Sequence, residues 1–198
     1  IEKDNKLASL LKDKYKFKSN LTIINDDALN FDYNIFYNKK NVIIIGNLPF
    51  NISTQLLIKW FSYDQWPPFY NKMVLMFQEE VAQRITAEYG NKNYGRLSVI
   101  AQIRCKIKKL MKAPASVFIP VPKVNGVILE FEPIGDYKSV DFKKLKYLLS
   151  LSFQYRRKKI RTSLKNYLGY LEKLNIDENL RAENLTINDY YNLSKIIN

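Results

Sequence analysis

Short runs of β-branched and aliphatic residues, "LTIIN" (21–25), "NVIIIG" (41–46) and "KMVLMFQ" (72–78), alternate along this chain with stretches whose apolar residues recur at helical spacing. No other feature constrains the fold as much. A strand followed by a helix and then another strand sets the strands parallel, and the helices cover the faces of the sheet. In "KLASLLKDKY" (6–15), Leu7, Leu10 and Leu11 fall on one helical face. "STQLLIKWF" (53–61) reads as a second helix with Ser53 as its N-cap, and "EEVAQRITAEY" (79–89) as a third. The pattern then changes. Leu97, Val99, Ala101, Ile103, Cys105 and Ile107 alternate with mostly polar residues, and "NGVILEFEP" (125–133) alternates in the same way, so this region reads as an antiparallel edge hairpin. The turn formers of "PIGDYKS" (133–139) mark a boundary, and everything beyond them reads as helix. Phe142, Leu145, Leu148, Leu149 and Phe153 form one apolar stripe, "RRKKIRTSLKNYL" (156–168) continues as a basic helix, and Thr186 caps a closing helix.

Several kinds of chemistry are excluded by what the chain lacks. It has no histidine among its 198 residues, so imidazole bases, His-containing triads and His-ligated zinc play no part. The single cysteine, Cys105, cannot form an internal disulfide and reads as a core residue, in keeping with a reducing cytoplasm. No apolar run is long enough to cross a bilayer, and no signal-peptide pattern opens the chain. The charge balance is more informative. Thirty-two basic residues against 19 acidic ones give a net charge of +13, which favours a polyanionic partner. The charge also clusters: Arg156, Arg157, Lys158, Lys159, Arg161 and Lys165 lie within ten residues, and helical spacing puts Arg157, Arg161 and Lys165 on one side as an RNA-facing ridge.

The tetrapeptide "NLPF" (47–50) follows the second strand, where ligands bind in open α/β sheets. Its residues suit chemistry on an adenine amine. That amine is a poor nucleophile because its lone pair is delocalised into the ring, and acceptors for its hydrogens concentrate the pair. Asn47 offers a side-chain oxygen and Leu48 a carbonyl. Pro49 fixes the torsions around them, and Phe50 gives an unstacked base a face to rest on. Trp60 and Trp66 read as packing, and Phe77 reads equally as core or as a stacking residue.

Taken in order, "NLPFNIST", "MFQEEVAQRI", "YGRLSV", "VFIPVPKV", "FQYRRKKIRTSL" and "RAENLT" resemble the small-subunit rRNA adenine dimethyltransferases, the KsgA family, over nearly the whole chain. The resemblance implies an α/β fold: a class I methyltransferase, Rossmann-like sheet in residues 1–134, with a small all-α RNA-binding domain in 135–198. It implies dimethylation of N6 of two adjacent adenosines in a hairpin loop near the 3′ end of 16S rRNA, during small-subunit biogenesis. S-adenosyl-L-methionine is then the methyl donor and no metal is needed. The partner is 16S rRNA or a small-subunit precursor, and the protein acts as a cytoplasmic monomer. Carried over by position, Glu2 receives the cofactor ribose, Asp27 faces the cofactor adenine with Ala28 and Leu29 lining it, and Asn47 contacts cofactor and target alike. Asn47, Leu48, Pro49 and Phe50 form the catalytic turn. Phe118 and Lys123, in the Pro-stiffened "VFIPVPKV" (117–124), face the RNA together with the basic run. Two departures stand out: Asp26 occupies a position where the family has Gly, and "NG" (125–126) follows the valine where Asp-Ser is usual. The six glycines are also dispersed, so the family's first strand and Gly-rich loop are expected to be missing, with weak cofactor binding as the consequence. Two further readings remain open at this level: a non-catalytic rRNA-binding assembly factor, and a related adenine methyltransferase of the macrolide-resistance type or of the mitochondrial transcription-factor group.

Overall fold

The computed structural model describes residues 1–137 and 140–197. Four strands form one mixed sheet in the order β1-β2-β4-β3: β1 Ile43–Asn47, β2 Lys72–Gln78, β3 Cys105–Ala113 and β4 Gly126–Pro133. β1 and β2 are parallel, with Asn47 opposite Met76, and β4 runs antiparallel to both β2 and β3. The outer hairpin is therefore present, with β3 at the edge. Its exposed lysines at 106, 108, 109 and 112 suit an edge strand, because charge discourages another chain from pairing there.

Helices pack around this sheet: α1 Asn5–Lys14, α2 Phe50–Phe61, α3 Glu79–Thr86, α4 Arg96–Arg104, α5 Phe142–Ser152, α6 Ile160–Ser163, α7 Leu168–Lys173 and α8 Ile187–Ile196. Asp4 caps α1 by accepting from the Leu7 N–H. Thr186 caps α8 as expected, and the Asp189 carboxylate completes a reciprocal capping box. The α5 stripe faces inward, with Phe142, Leu145, Leu148 and Leu149 all buried. The last two residues of the boundary segment read at 133–139 lie outside the described residues.

Four expectations need correction. Residues 96–104 are helix rather than strand. Ser98, Val99, Ile100, Ala101, Ile103 and Arg104 are all buried, and a helix wrapped on nearly every side loses the one-sided periodicity that identifies it. "LTIIN" is not a strand; its one ladder contact among the described residues is a parallel bridge between Glu2 and Asn25, where the Glu2 N–H donates to Ile24 O and the Asp26 N–H to Glu2 O. Ser53 does not cap α2. The helix starts at Phe50, with Pro49 in the cap position, and the buried Ser53 hydroxyl donates to the Phe50 carbonyl. Finally, 156–168 is not one basic helix. Arg156, Arg157 and Lys158 lie in turns and α6 is a single turn, because the Ile160 and Arg161 N–H groups are taken by the carbonyls of Leu180 and Glu178.

One hydrophobic core runs from Phe31 through the sheet to Ile197. Trp60 and Trp66 belong to it, and Phe77 is inaccessible, which settles its role as packing. Cys105 is 2% exposed and burial pushes its thiol pKa up, so it remains an uncharged core residue. Arg104 joins the sheet half to the helical half. It is 1% exposed; its Nε donates to Phe61 O at 3.1 Å, and its guanidinium lies 4.3 Å from the Trp66 ring and 4.8 Å from the Phe142 ring.

Candidate active site

β1 ends at Asn47, which is exposed; no hydrogen bond to its side chain is made among the described residues. The residue before it explains the shape of the turn. A Cβ on Gly46 would lie 2.7 Å from Leu48 Cδ2 and 3.1 Å from Leu75 Cδ2, so a larger residue there would displace the Leu48 side chain from its place against the strand end. Pro49, at φ −55° and ψ 129°, then turns the chain into α2, and its carbonyl accepts from the Ile52 and Ser53 N–H groups. Phe50 opens the helix and is partly exposed. Asn47, Leu48, Pro49 and Phe50 thus form one compact turn at the carboxyl end of a parallel strand, as the sequence reading places them.

The neighbouring strand end holds a second element that sequence reasoning missed. Glu79, directly after β2, accepts from Lys112 Nζ at 2.8 Å and from Asn125 Nδ2 at 3.0 Å. Asn125 Oδ1 in turn accepts from the Ala115 N–H at 3.0 Å, and its carbonyl accepts from the Glu79 N–H. These bonds close the base of the 114–125 loop beside the end of β2. The Lys112 contact, followed by the Asn125 amide, holds the Glu79 carboxyl below its ordinary pKa, so it is ionised at neutral pH. Asn125 is where the chain departs from the usual Asp-Ser pair; only the long-range contacts reveal its use. Above this base the chain makes a 3₁₀ turn at Ala115–Val117, with Phe118 partly buried, Ile119 fully exposed and Lys123 exposed.

The basic segment is divided in its uses. Arg156 donates to the carbonyls of Lys92 and Tyr94, both at 2.8 Å, and so braces the loop that leads into α4. Lys159 bonds Asn179 at 2.9 Å, and Arg161 pairs with Glu178 at 3.4 Å. Arg157, Lys158 and Lys165 are exposed and make no ion pair among the described residues. The ridge formed by Arg157, Arg161 and Lys165 on one helix face therefore does not exist; the free charge sits on a turn and just beyond α6.

The model of the family described as ribosomal RNA adenine dimethylase matches residues 1–198. The chain belongs to that family. A ribosomal RNA small subunit methyltransferase A from Buchnera aphidicola is 43% identical over 203 residues, spanning 100% of this chain and 73% of that protein. The Bartonella henselae protein of the same name is 39% identical over 202 residues, again with 100% and 73% coverage. Among solved structures, a dimethyladenosine transferase from Plasmodium falciparum superposes with a TM-score of 0.82 at 27% identity, covering 96% of this chain and 78% of that one.

Of the residues that the sequence assigns to the methyl donor, Glu2 and Asp27 lie at or beside the Glu2–Asn25 bridge, and Asn47 lies at the end of β1. Glu2 is partly exposed, and its Oε1 accepts from the Asp4 N–H. Asp27 accepts from the Leu29 N–H at 2.9 Å and from Lys3 Nζ at 2.7 Å, and the Lys3 contact leads in lowering its pKa. A carboxylate has about four acceptor positions, so both acids can still take hydroxyl or amine hydrogens. The donor set therefore fits the nucleoside half of S-adenosylmethionine. Asp26 turns its carboxylate onto the Asp27 N–H at 2.7 Å. Ala28 and Leu29 are partly buried and held from behind: Tyr33 OH donates to Ala28 O, and Lys59 Nζ donates to Leu29 O and Phe31 O. Lys59 thereby ties this turn to α2, the helix that Phe50 begins, and nothing in the local sequence signals that link.

Proposed function

We propose that this chain dimethylates N6 of two adjacent adenosines in the 3′-terminal hairpin loop of 16S rRNA during small-subunit assembly. The supporting observation is the Asn47–Phe50 turn: two amine acceptors and a ring, held at a strand end by a proline and a side-chain-free Gly46. The reading puts the chemistry in the sheet half, 1–134, and RNA binding largely in 135–198. It places the work on small-subunit precursors in the cytoplasm, by a monomer.

The residues act in sequence. Phe50 receives the flipped adenine and offsets part of the unstacking cost, a few kcal/mol. Asn47 Oδ1 and the Leu48 carbonyl accept the two N6 hydrogens, which pulls the nitrogen toward tetrahedral geometry and frees its lone pair. Bound S-adenosylmethionine supplies an electrophilic methyl group on a sulfonium. Asn47 is uncharged and exchanges no proton, so the proton lost from N6 leaves to water. Rate enhancement on this reading comes from positioning and from fixed dipoles. Glu2 and Asp27 orient the donor, while the 114–125 loop, anchored by Glu79 and Asn125, closes over the target side.

The test is methyl transfer from labelled S-adenosylmethionine to small subunits lacking the modification, with the product nucleosides identified. Dimethyladenosine is expected, and Asn47→Ala is expected to lower kcat by about 10²–10³, the usual cost of removing one preorganised hydrogen-bonding group. RNA binding without any methylated product would replace this reading with that of an assembly factor.

A further inference from the structure

A cavity of about 590 Å³ opens between α2, α3, α4 and α5, and none of Asn47 to Phe50 lines it. Every charged residue on its wall is a cation: Arg84, Arg96, Lys146 and Arg156. Two of these are already engaged. Arg84 pairs with Glu80 one turn earlier on α3, and Arg156 braces the carbonyls of Lys92 and Tyr94. Arg96 and Lys146 are exposed and meet no carboxylate at ion-pair distance among the described residues. The first turn of α4, Gly95 to Ser98, also lines the cavity, and it has no side-chain cap. The Gly95 N–H is taken by Ser98 Oγ at 3.0 Å, and the N–H groups that follow it in the first turn add positive potential to that of the side chains. A cavity with this wall suits an anion, and its volume suits one nucleotide unit.

Position on the helix narrows the ligand further. Thr54 and Ile58 of α2 form one side of the cavity, at four and eight residues from Phe50 on the same helical face. Each step of four is about 6 Å, so the cavity begins roughly one turn from the ring that receives the target base. Arg156 also lines the cavity, and it precedes the exposed Arg157 and Lys158 in the chain. The cavity thus adjoins the helix that begins at Phe50 and includes the residue that precedes the exposed basic turn.

We propose that this cavity is a phosphodiester subsite: an RNA strand whose target base lies on Phe50 lays a backbone phosphate between Arg96 and Lys146, above the first turn of α4. It rests on the function proposed above for its orientation along α2. The charged groups facing the space are all donors suited to phosphate oxygens, so the subsite reads backbone and position rather than sequence.

The experiment is a titration of the ¹⁵N-labelled protein with a 5′-phosphorylated single-stranded tetrauridylate, followed through the amide signals of Gly95 to Ser98. Those signals are expected to move. Arg96→Gln and Lys146→Gln are each expected to weaken binding about three- to tenfold and to flatten the slope of log K against log salt by about 0.7, the value for one phosphate of a single strand. Both side chains are exposed, so unchanged melting temperatures are expected to accompany these losses. Still signals at Gly95 to Ser98, or variants that bind as the parent does, would overturn the proposal. Inorganic phosphate binding as tightly as the tetranucleotide would also overturn it, by showing a simple anion site. The methyl-transfer assay reads the other conclusion separately: product formation with a silent cavity removes only the subsite, and a responsive cavity without product removes only the proposed reaction.

Discussion

Asn125→Ala isolates the anchor of the 114–125 loop. The substitution deletes the bond from the Ala115 N–H to Oδ1, at 3.0 Å, and the bond from Nδ2 to Glu79, also at 3.0 Å, while Lys112 still holds the other Glu79 oxygen. At about 1 kcal/mol net for each bond, the loop base should lose about 2 kcal/mol. Local opening should then be about 30-fold more frequent, since about 1.4 kcal/mol is a tenfold change in an equilibrium constant. Hydrogen exchange reads this directly. The Val117 and Phe118 amides, bonded to Pro114 O and Ala115 O within the same turn, should exchange about 30-fold faster. Amides of Leu129 and Phe131, in the middle of β4 and paired with β2, should keep their rates. Unchanged loop exchange would refute the anchoring role, and equal acceleration in β4 would show a global effect instead.

The Glu79 carboxyl titrates below its unfolded value, so its contribution to the loop is fully present above the ordinary carboxylate range and is lost as pH falls through its lowered folded value; the protection factor at Phe118, with intrinsic exchange divided out, should fall over that acidic interval and be constant from there to neutrality. Arg157→Gln should leave the melting temperature unchanged while lowering the salt slope of RNA binding by about 0.7–0.9, whereas Arg156→Gln should lower thermal stability by removing two carbonyl contacts; calorimetry and filter binding separate the two outcomes. Gly46→Ala should push Leu48 from its seat and reduce methyl transfer more than it reduces stability, as measured by kcat beside a melting curve.

Much of the architecture was legible from local pattern. β1, β2 and β4 are apolar runs bounded by polar or turn-forming residues; α1 and α5 carry one-sided stripes; and Thr186 with Asp189 is a cap visible in four residues. The Asn47–Phe50 turn was legible because proline and a strand end act locally. What escaped depends on distant partners. α4 imitates a strand because it is enclosed on most sides, and its identity as a helix rests on α2, α3, α5 and α8 packing around it. The basic run lost its helix to carbonyls from 178 and 180, and half of its charge to Lys92, Tyr94, Glu178 and Asn179. Glu79, Asn125 and Lys59 look like ordinary surface residues until their partners, up to 46 positions away, are known.

The placement of Arg104 also bears on how such a chain can be altered or recombined. Its guanidinium lies between Trp66, from before the 133–139 boundary, and Phe142, from after it, in a setting without solvent. Cutting the chain at that boundary would take one aromatic wall from a buried cation and lay bare the apolar side of α5. The basic tail is thus unsuited to transfer as a cassette to another enzyme. A donor sequence grafted here would have to bring its own aromatic for Arg104, or an apolar residue would have to replace Arg104 first, which makes this inward-facing arginine the gatekeeper of any exchange of the C-terminal helices.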